Sequence, residues 1–420
     1  MSTLTAASSQ PPNPLHPNPV DSLLGGDGNA DQADPAVWKR RFHALQESVN
    51  AQNKSKRKSG NATPISQLGR GIRKVIFICG EIKDLVSESD NRCAYVEDPE
   101  NPDLSSEFEE LNDDEVEELK RDWERSHAAV QALNRLIPNF QKKIDNGSPE
   151  ELNTFYVELQ RGADSARSDD LNRIRACIAD WLNATQPRPE ILLNPSCRKN
   201  RGIQHDVTGQ LLCPAEFDWS NLVVRAKLRA AEEKFDWLCS YHSRCFYARH
   251  NPTANRLESG YLKSTLLIRV YKAIFTSPSS AKNTPDEDED VENMPPAKLQ
   301  KISSGKSPLR RNVASKVHLN DKVTSRSIAY AAVQLHFNLQ TAASWASIYG
   351  GFDYQGLYNY IVDFFDDAPG PEAKKRSKDL LDWWSSKIFS GAAVRRQTNT
   401  SASRKALRQQ RAAPEGEEAA

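Results

Sequence analysis

Long apolar runs are missing from this 420-residue chain, in which hydrophobic residues make up only 38%. The longest, Val75–Cys79 and Ile328–Val333, fall far short of the roughly 18–20 residues that span a bilayer. A membrane channel is therefore excluded. Net charge is missing too: 56 Lys and Arg stand against 56 Asp and Glu. A chain that coats nucleic acid with its whole surface would carry a large positive excess. The seven cysteines (79, 93, 177, 197, 213, 239 and 245) are odd in number and scattered. That argues against a disulfide scaffold and for free thiols in a reducing compartment. The first 34 residues contain no charged stretch followed by an apolar one, so no secretory signal is expected and the expected setting is intracellular.

Catalytic signatures are also scarce. Gly305-Lys306-Ser307 resembles the end of a phosphate-binding loop, but the required upstream glycine position is Gln300. No His-Glu-x-x-His or Gly-x-Ser-x-Gly occurs. No cofactor and no catalytic residue is assigned from the sequence.

What is present is helical periodicity, and the expected fold class is all-α, with one short hairpin near 203–213. Apolar residues from Ile65 to Val86 recur at three- and four-residue steps behind Pro64, which predicts a helix with one wide buried face. Asn112 with Glu115, and Ser148-Pro149-Glu150-Glu151, are capping boxes that open the next two helices; Pro138 closes the first and Gly162 the second. Leu171, Ile174, Ile178, Trp181 and Leu182 predict a further helix ending before Pro187. Residues 187–214, rich in Pro, Asn and Gly, read as irregular. Helices follow at 220–238, 260–275, 323–339, 354–365 and 377–389.

The expected organisation is a disordered tail (1–33), a short helix with a basic linker (34–62), and a helical domain (63–275). An acidic-then-basic linker (276–321), closing helices (322–390) and a second tail (391–420) follow. The linker and tails are expected to be disordered. The zero net charge is a sum of blocks. Residues 97–118 hold twelve acidic side chains and no basic one, and 286–292 hold six, opposed by basic clusters at 39–58, 298–326 and in the C-terminal tail. The run at 97–118 reads either as a charged helix start or as an acidic-aromatic docking segment, with the former preferred.

Lys54, Lys56, Arg57 and Lys58, twelve residues after Lys39-Arg40-Arg41, have the spacing of a bipartite signal for a nuclear import receptor. Nuclear localisation is expected, cytoplasmic being the alternative. Ser307-Pro-Leu-Arg310 is a proline-directed phosphoacceptor pattern.

Arg161, Arg167, Asp169, Asp170 and Arg173, with Arg175, are the candidate binding residues. They are expected at a junction between two helices, either as pinning ion pairs or as contacts to a phosphate or partner. Cys239, His242, Cys245 and His250 supply four soft ligands, but their spacing fits no standard zinc site. Two buried thiols and two surface imidazoles is the preferred reading.

Several segments, taken in order, resemble one family. They are Arg161–Asp170, Thr208–Pro214, Tyr271–Ser280, Ser327–Tyr330, Tyr358–Phe365 and Leu381–Trp384. The family is a domain of unknown function multiplied in mushroom-forming fungi, and the resemblance spans about Ile65 to Phe389. It implies a fungal source and a mainly helical domain, and it carries over no catalytic residue. One departure stands out: Phe235–Phe246 replaces an expected Trp-Pro followed by aromatics. The functional expectation is a non-enzymatic nuclear interaction protein that contacts nucleic acid or protein partners through charged flexible segments. An enzyme of nucleic-acid or mobile-element metabolism, or a ligand-free structural protein, is the alternative.

Overall fold

A computed structural model describes residues 64–99, 104, 108, 111–235, 240–253, 255–282, 284 and 312–398. Lys54, Lys56, Arg57, Lys58, Ser307, Cys239, the N-terminal tail and most of the 276–321 linker lie outside these residues.

The described chain is mainly α-helical. Its elements are α1 (Ile65–Gly69), α2 (Ile72–Val75), α3 (Ile82–Glu97), α4 (Asp113–Leu136), α5 (Phe140–Asn146) and α6 (Pro149–Asn183). They continue with α7 (Asp206–Leu212), α8 (Leu222–Ala230), α9 (Thr265–Phe275), α10 (Pro278–Lys282), α11 (Val313–Lys316) and α12 (Ser325–Leu339). An antiparallel pair, β1 (Ile348–Tyr349) and β2 (Phe352–Asp353), turns the chain into α13 (Tyr354–Asp366) and α14 (Gly370–Thr398). Among the described residues no helix is long and apolar enough to cross a membrane.

Both capping boxes form. The Asn112 side chain accepts from Glu115 N while Glu115 accepts from Asn112 N, and Ser148 and Glu151 do the same at α6. Each satisfies two otherwise orphaned amides, and such a cap contributes about 1 kcal/mol.

Four expectations are corrected. The predicted helix over 65–86 is three pieces, because α1 and α2 are separated at Arg70–Gly71 and a bend at residues 76–81 precedes α3. Gly162 does not stop a helix; it lies inside α6, which runs unbroken from Pro149 to Asn183. The hairpin expected near 203–213 is the helix α7, capped by the His205 ring, which accepts from Val207 N. The small sheet lies instead at 348–353. The helix expected over 220–238 is α8, shorter because Ala231 turns left-handed at its end.

The core consists of two clusters among the described residues. A smaller cluster joins α2 to α6 through Ile72, Leu133, Phe140, Phe155 and Leu159, and the main cluster gathers α6 and everything after it. Val75 and Leu136 pack against both. At the centre of the main cluster lies α12, every residue of which except Arg326 is buried. It touches α2, α6, α7, α9 and α13. A helix surrounded on all sides normally holds polar residues where neighbours supply partners; Tyr330 and Asn338 have them, while both amide atoms of the buried Gln334 have none among the described residues. Its face bearing Tyr330, Gln334 and Asn338, spaced four apart and therefore stacked along one side, defines the site.

Candidate functional site

Along α6 and α12 runs a seam of buried charge. At its first end, Asp170 (1% exposed) receives three donors. Lys74 from α2 and Arg173 from the next turn of α6 make close ion pairs with it, and the Tyr330 hydroxyl donates to it at 2.8 Å. Arg73 reaches Asp164 at 2.9 Å and the Gly80 carbonyl at 2.8 Å. Arg167 pairs with Asp164 at 3.0 Å, donates to the Ile78 carbonyl at 2.8 Å and lies over the Trp345 ring. Arg70 closes the rim on Asp169 at 2.7 Å.

Burial first, then the guanidiniums of Arg173 and Arg70, pull the Lys74 ammonium down to about 7. Asp170 is shared with Arg173 and Tyr330, so it cannot hold the Lys74 proton alone. Arg167 is lowered by burial and by Arg73.

The candidate residues are thus placed unequally. Arg167, Asp169, Asp170 and Arg173 belong to the seam. Arg161 does not: it is exposed and pairs with Glu158 one turn back on α6. None lies at a helix junction, because α6 is continuous there. Asp366, at the end of α13, opposes that helix's dipole but is answered by Arg326 at 3.0 Å and Ser325 at 3.0 Å.

At its far end the seam changes character. Arg198 (5% exposed) and Arg201 (1% exposed) reach in from the irregular segment before α7. Arg198 donates to the carbonyls of Ala342 and Ala343 and to Asn338 Oδ1, and it lies over Phe337. Arg201 donates to the carbonyls of Asn338, Arg175 and Asn194. These carbonyls include the last turn of α12, whose dipole favours cations. Among the described residues neither arginine, nor the partly exposed Arg175 beside them, has a carboxylate partner. Burial, then Arg198 and Arg175, pull the Arg201 guanidinium down to about 10. Arg198 and Arg201 were not singled out from the sequence, where they read as ordinary loop cations.

Of the four soft residues weighed as zinc ligands, Cys239 lies outside the described residues and the other three have separate surroundings. His242 hydrogen-bonds the Tyr360 hydroxyl at 2.8 Å and faces Glu216 at 3.6 Å, Cys245 is fully buried, and His250 contacts the Arg244 carbonyl. Burial lowers His242, against the opposing pull of Glu216. Among the described residues no group of three or more His, Cys, Asp or Glu is placed to hold a metal ion. The surface imidazole expected at 242 is instead half-buried, lining a hollow of about 320 Å³ with Tyr261, Tyr360 and Phe364. A second hollow of about 700 Å³ adjoins it and extends to Trp383.

The comparisons leave the role of this domain open. No curated protein and no solved structure matches the chain. Residues 161–389 match a family of unknown function (DUF6698). The match begins at Arg161, within α6, and covers the seam from Asp164 onward, α12 and the closing helices. It covers more than half of the chain, and the protein belongs to that family.

Proposed function

We propose that this is a fungal, non-enzymatic nuclear interaction protein whose partner is anionic, nucleic acid being the chemistry that fits best. One observation carries the reading: beside Lys74, the seam holds seven guanidiniums (Arg70, Arg73, Arg167, Arg173, Arg175, Arg198 and Arg201) against three carboxylates, Asp164, Asp169 and Asp170. Buried or half-buried charge is normally paired, and a surplus of guanidiniums in a neutral chain favours a polyanion. The basic clusters outside the described residues add to it. Lys54, Lys56, Arg57 and Lys58 would be read by a nuclear import receptor. A phosphate on Ser307, beside Lys306, Arg310 and Arg311, would weaken anion contacts by adding about −1.5 to −2 charge.

The test is affinity capture from nuclei, with and without nuclease, comparing the natural chain with one carrying alanine at Lys54, Lys56, Arg57 and Lys58. Nuclease-sensitive recovery of nucleic acid, lost with nuclear localisation in the variant, is expected. Recovery of neither nucleic acid nor a reproducible protein partner overturns the reading.

A further inference from the structure

The far end of the seam leaves donors unused as well as charge uncancelled. Arg201 uses both terminal nitrogens on carbonyls, but its Nε is buried without a partner. Arg175 Nε is likewise buried and unpartnered. Gln340 (4% exposed), whose Oε1 would stand 3.9 Å from a Cβ built on Gly202, the residue after Arg201, has an Nε2 donor without a partner. The geometry around them is fixed. Gly202 N donates to the Leu339 carbonyl at 2.8 Å, and Arg198 is tied down at three points. Carbonyls orient a guanidinium without neutralising it. Three formal positive charges therefore stand together with spare donors of one kind, and a buried unsatisfied donor is costly.

We propose that Arg175, Arg198, Arg201 and Gln340 form a binding site for a phosphoryl dianion, either free phosphate or a terminal phosphate monoester. The proposal deepens the preceding reading and rests on it for the anionic nature of the partner. A dianion is favoured over a backbone diester on two grounds. Three cations call for more than one negative charge, and two of the arginines are more than nine-tenths buried, which a compact terminal group reaches more readily than a continuous strand. Guanidinium forks match phosphate oxygens in geometry. Arg198 and Arg201 are held in place by their carbonyls, and the partly exposed Arg175, with no carboxylate partner among the described residues, is the most accessible of the three cations.

The experiment is thermal unfolding of the full chain with inorganic phosphate, beside Arg175→Gln and Gln340→Glu. Arg175→Gln removes a cation whose side chain makes no ion pair among the described residues; Gln340→Glu supplies a built-in anion. Phosphate should raise the Tm of the natural chain by several degrees and leave both variants unmoved. Without phosphate, both variants should be at least as stable as the natural chain, since each relieves like-charge repulsion. No phosphate shift in the natural chain, or the same shift in both variants, overturns the site.

Binding of a 5′-phosphorylated oligonucleotide and its unphosphorylated twin then separates the sources. About a tenfold preference for the phosphorylated form, lost in Arg175→Gln, assigns a terminal phosphate; equal binding assigns the free anion. Loss of nuclease-sensitive capture with the phosphate shift intact would sink the nucleic-acid reading and spare this site, and the converse would do the reverse.

Discussion

Gly69 and Gly162 face each other's helices where α1 crosses α6. A Cβ on Gly162 would stand 1.9 Å from the Ser66 carbonyl oxygen, and one on Gly69 would stand 2.1 Å from that of Leu159. Both obstacles are backbone, which cannot swing away. An interior glycine costs a helix about 1 kcal/mol relative to alanine, so Gly162→Ala should stabilise an isolated helix. In the protein it should instead destabilise by about 1–3 kcal/mol, because α1 must move off α6. Chemical denaturation of the variant measures this, and a gain in stability would contradict the crossing.

The two partners of the buried ion pair should respond unequally. Asp170→Asn removes the negative charge shared by Lys74, Arg173 and Tyr330, turns one of its two acceptor oxygens into a donor, and should cost about 3–5 kcal/mol. Lys74→Met leaves Asp170 with Arg173 and Tyr330, and removes an ammonium that burial already disfavours. It should cost about 1 kcal/mol or less near neutral pH. Equal losses in the two variants would show that Lys74 is the principal counterion.

Lys74 also gives a pH signature. Its folded value of about 7 lies below its ordinary 10.5. Between those values the unfolded chain binds more protons, so this group makes stability rise with pH. Buried thiols such as Cys79, raised to about 11 by burial, oppose the trend above their ordinary range. The window is therefore from about pH 7 to about pH 9. The difference in unfolding free energy between the natural chain and Lys74→Met should grow in favour of the natural chain across it. A difference that shrinks would reverse the sign of the argument.

His336, wholly buried on α12, stacks on Phe352 and contacts the Tyr354 hydroxyl. Burial pulls it down to about 3. The unfolded imidazole takes up a proton below its ordinary 6.5 while the folded one does not. Its contribution is thus complete above 6.5 and is lost as pH falls towards 3, at up to about 1.4 kcal/mol per pH unit. His336→Phe should flatten that acid limb, and an unchanged limb would exclude His336 as its source.

Adjacent tryptophans on α14 should separate cleanly. Trp384 is fully buried and donates to the Leu262 carbonyl at 3.0 Å, whereas Trp383 is partly exposed between Lys263 and Lys387. Trp384→Ala should cost about 3–5 kcal/mol. Trp383→Ala should cost about 1 kcal/mol, the scale of exposed cation–π contacts. A larger loss at Trp383 would contradict this placement.

What was legible in the sequence was local. The capping boxes at Asn112 and Ser148 need only residues three apart, and both formed as read. The misread glycines share one cause. Gly162 resembles a helix stop, and Gly209 within α7 resembles a turn. Each is glycine because other atoms pass close to its Cα: Ser66 of α1 in the first case, and the Ile203 carbonyl and the Trp219 ring, both 2.5 Å from a built Cβ, in the second. The site divides the same way. Arg167, Asp169, Asp170 and Arg173 stood out by their density. Arg198 and Arg201 did not, because most of their partners are backbone carbonyls, at Asn338, Ala342 and Ala343 far onward and at Arg175 and Asn194 before them, and a carbonyl leaves no mark in a sequence.

The central claim is that this domain keeps guanidiniums unpaired for an anionic partner. Its most direct test is the affinity of the natural chain and of Arg175→Gln for a 5′-phosphorylated single-stranded oligonucleotide, measured across a range of salt. The account predicts binding whose logarithm falls linearly with the logarithm of salt, and a slope about one unit shallower in the variant. Binding that is insensitive to salt, or identical slopes in the two proteins, would contradict it.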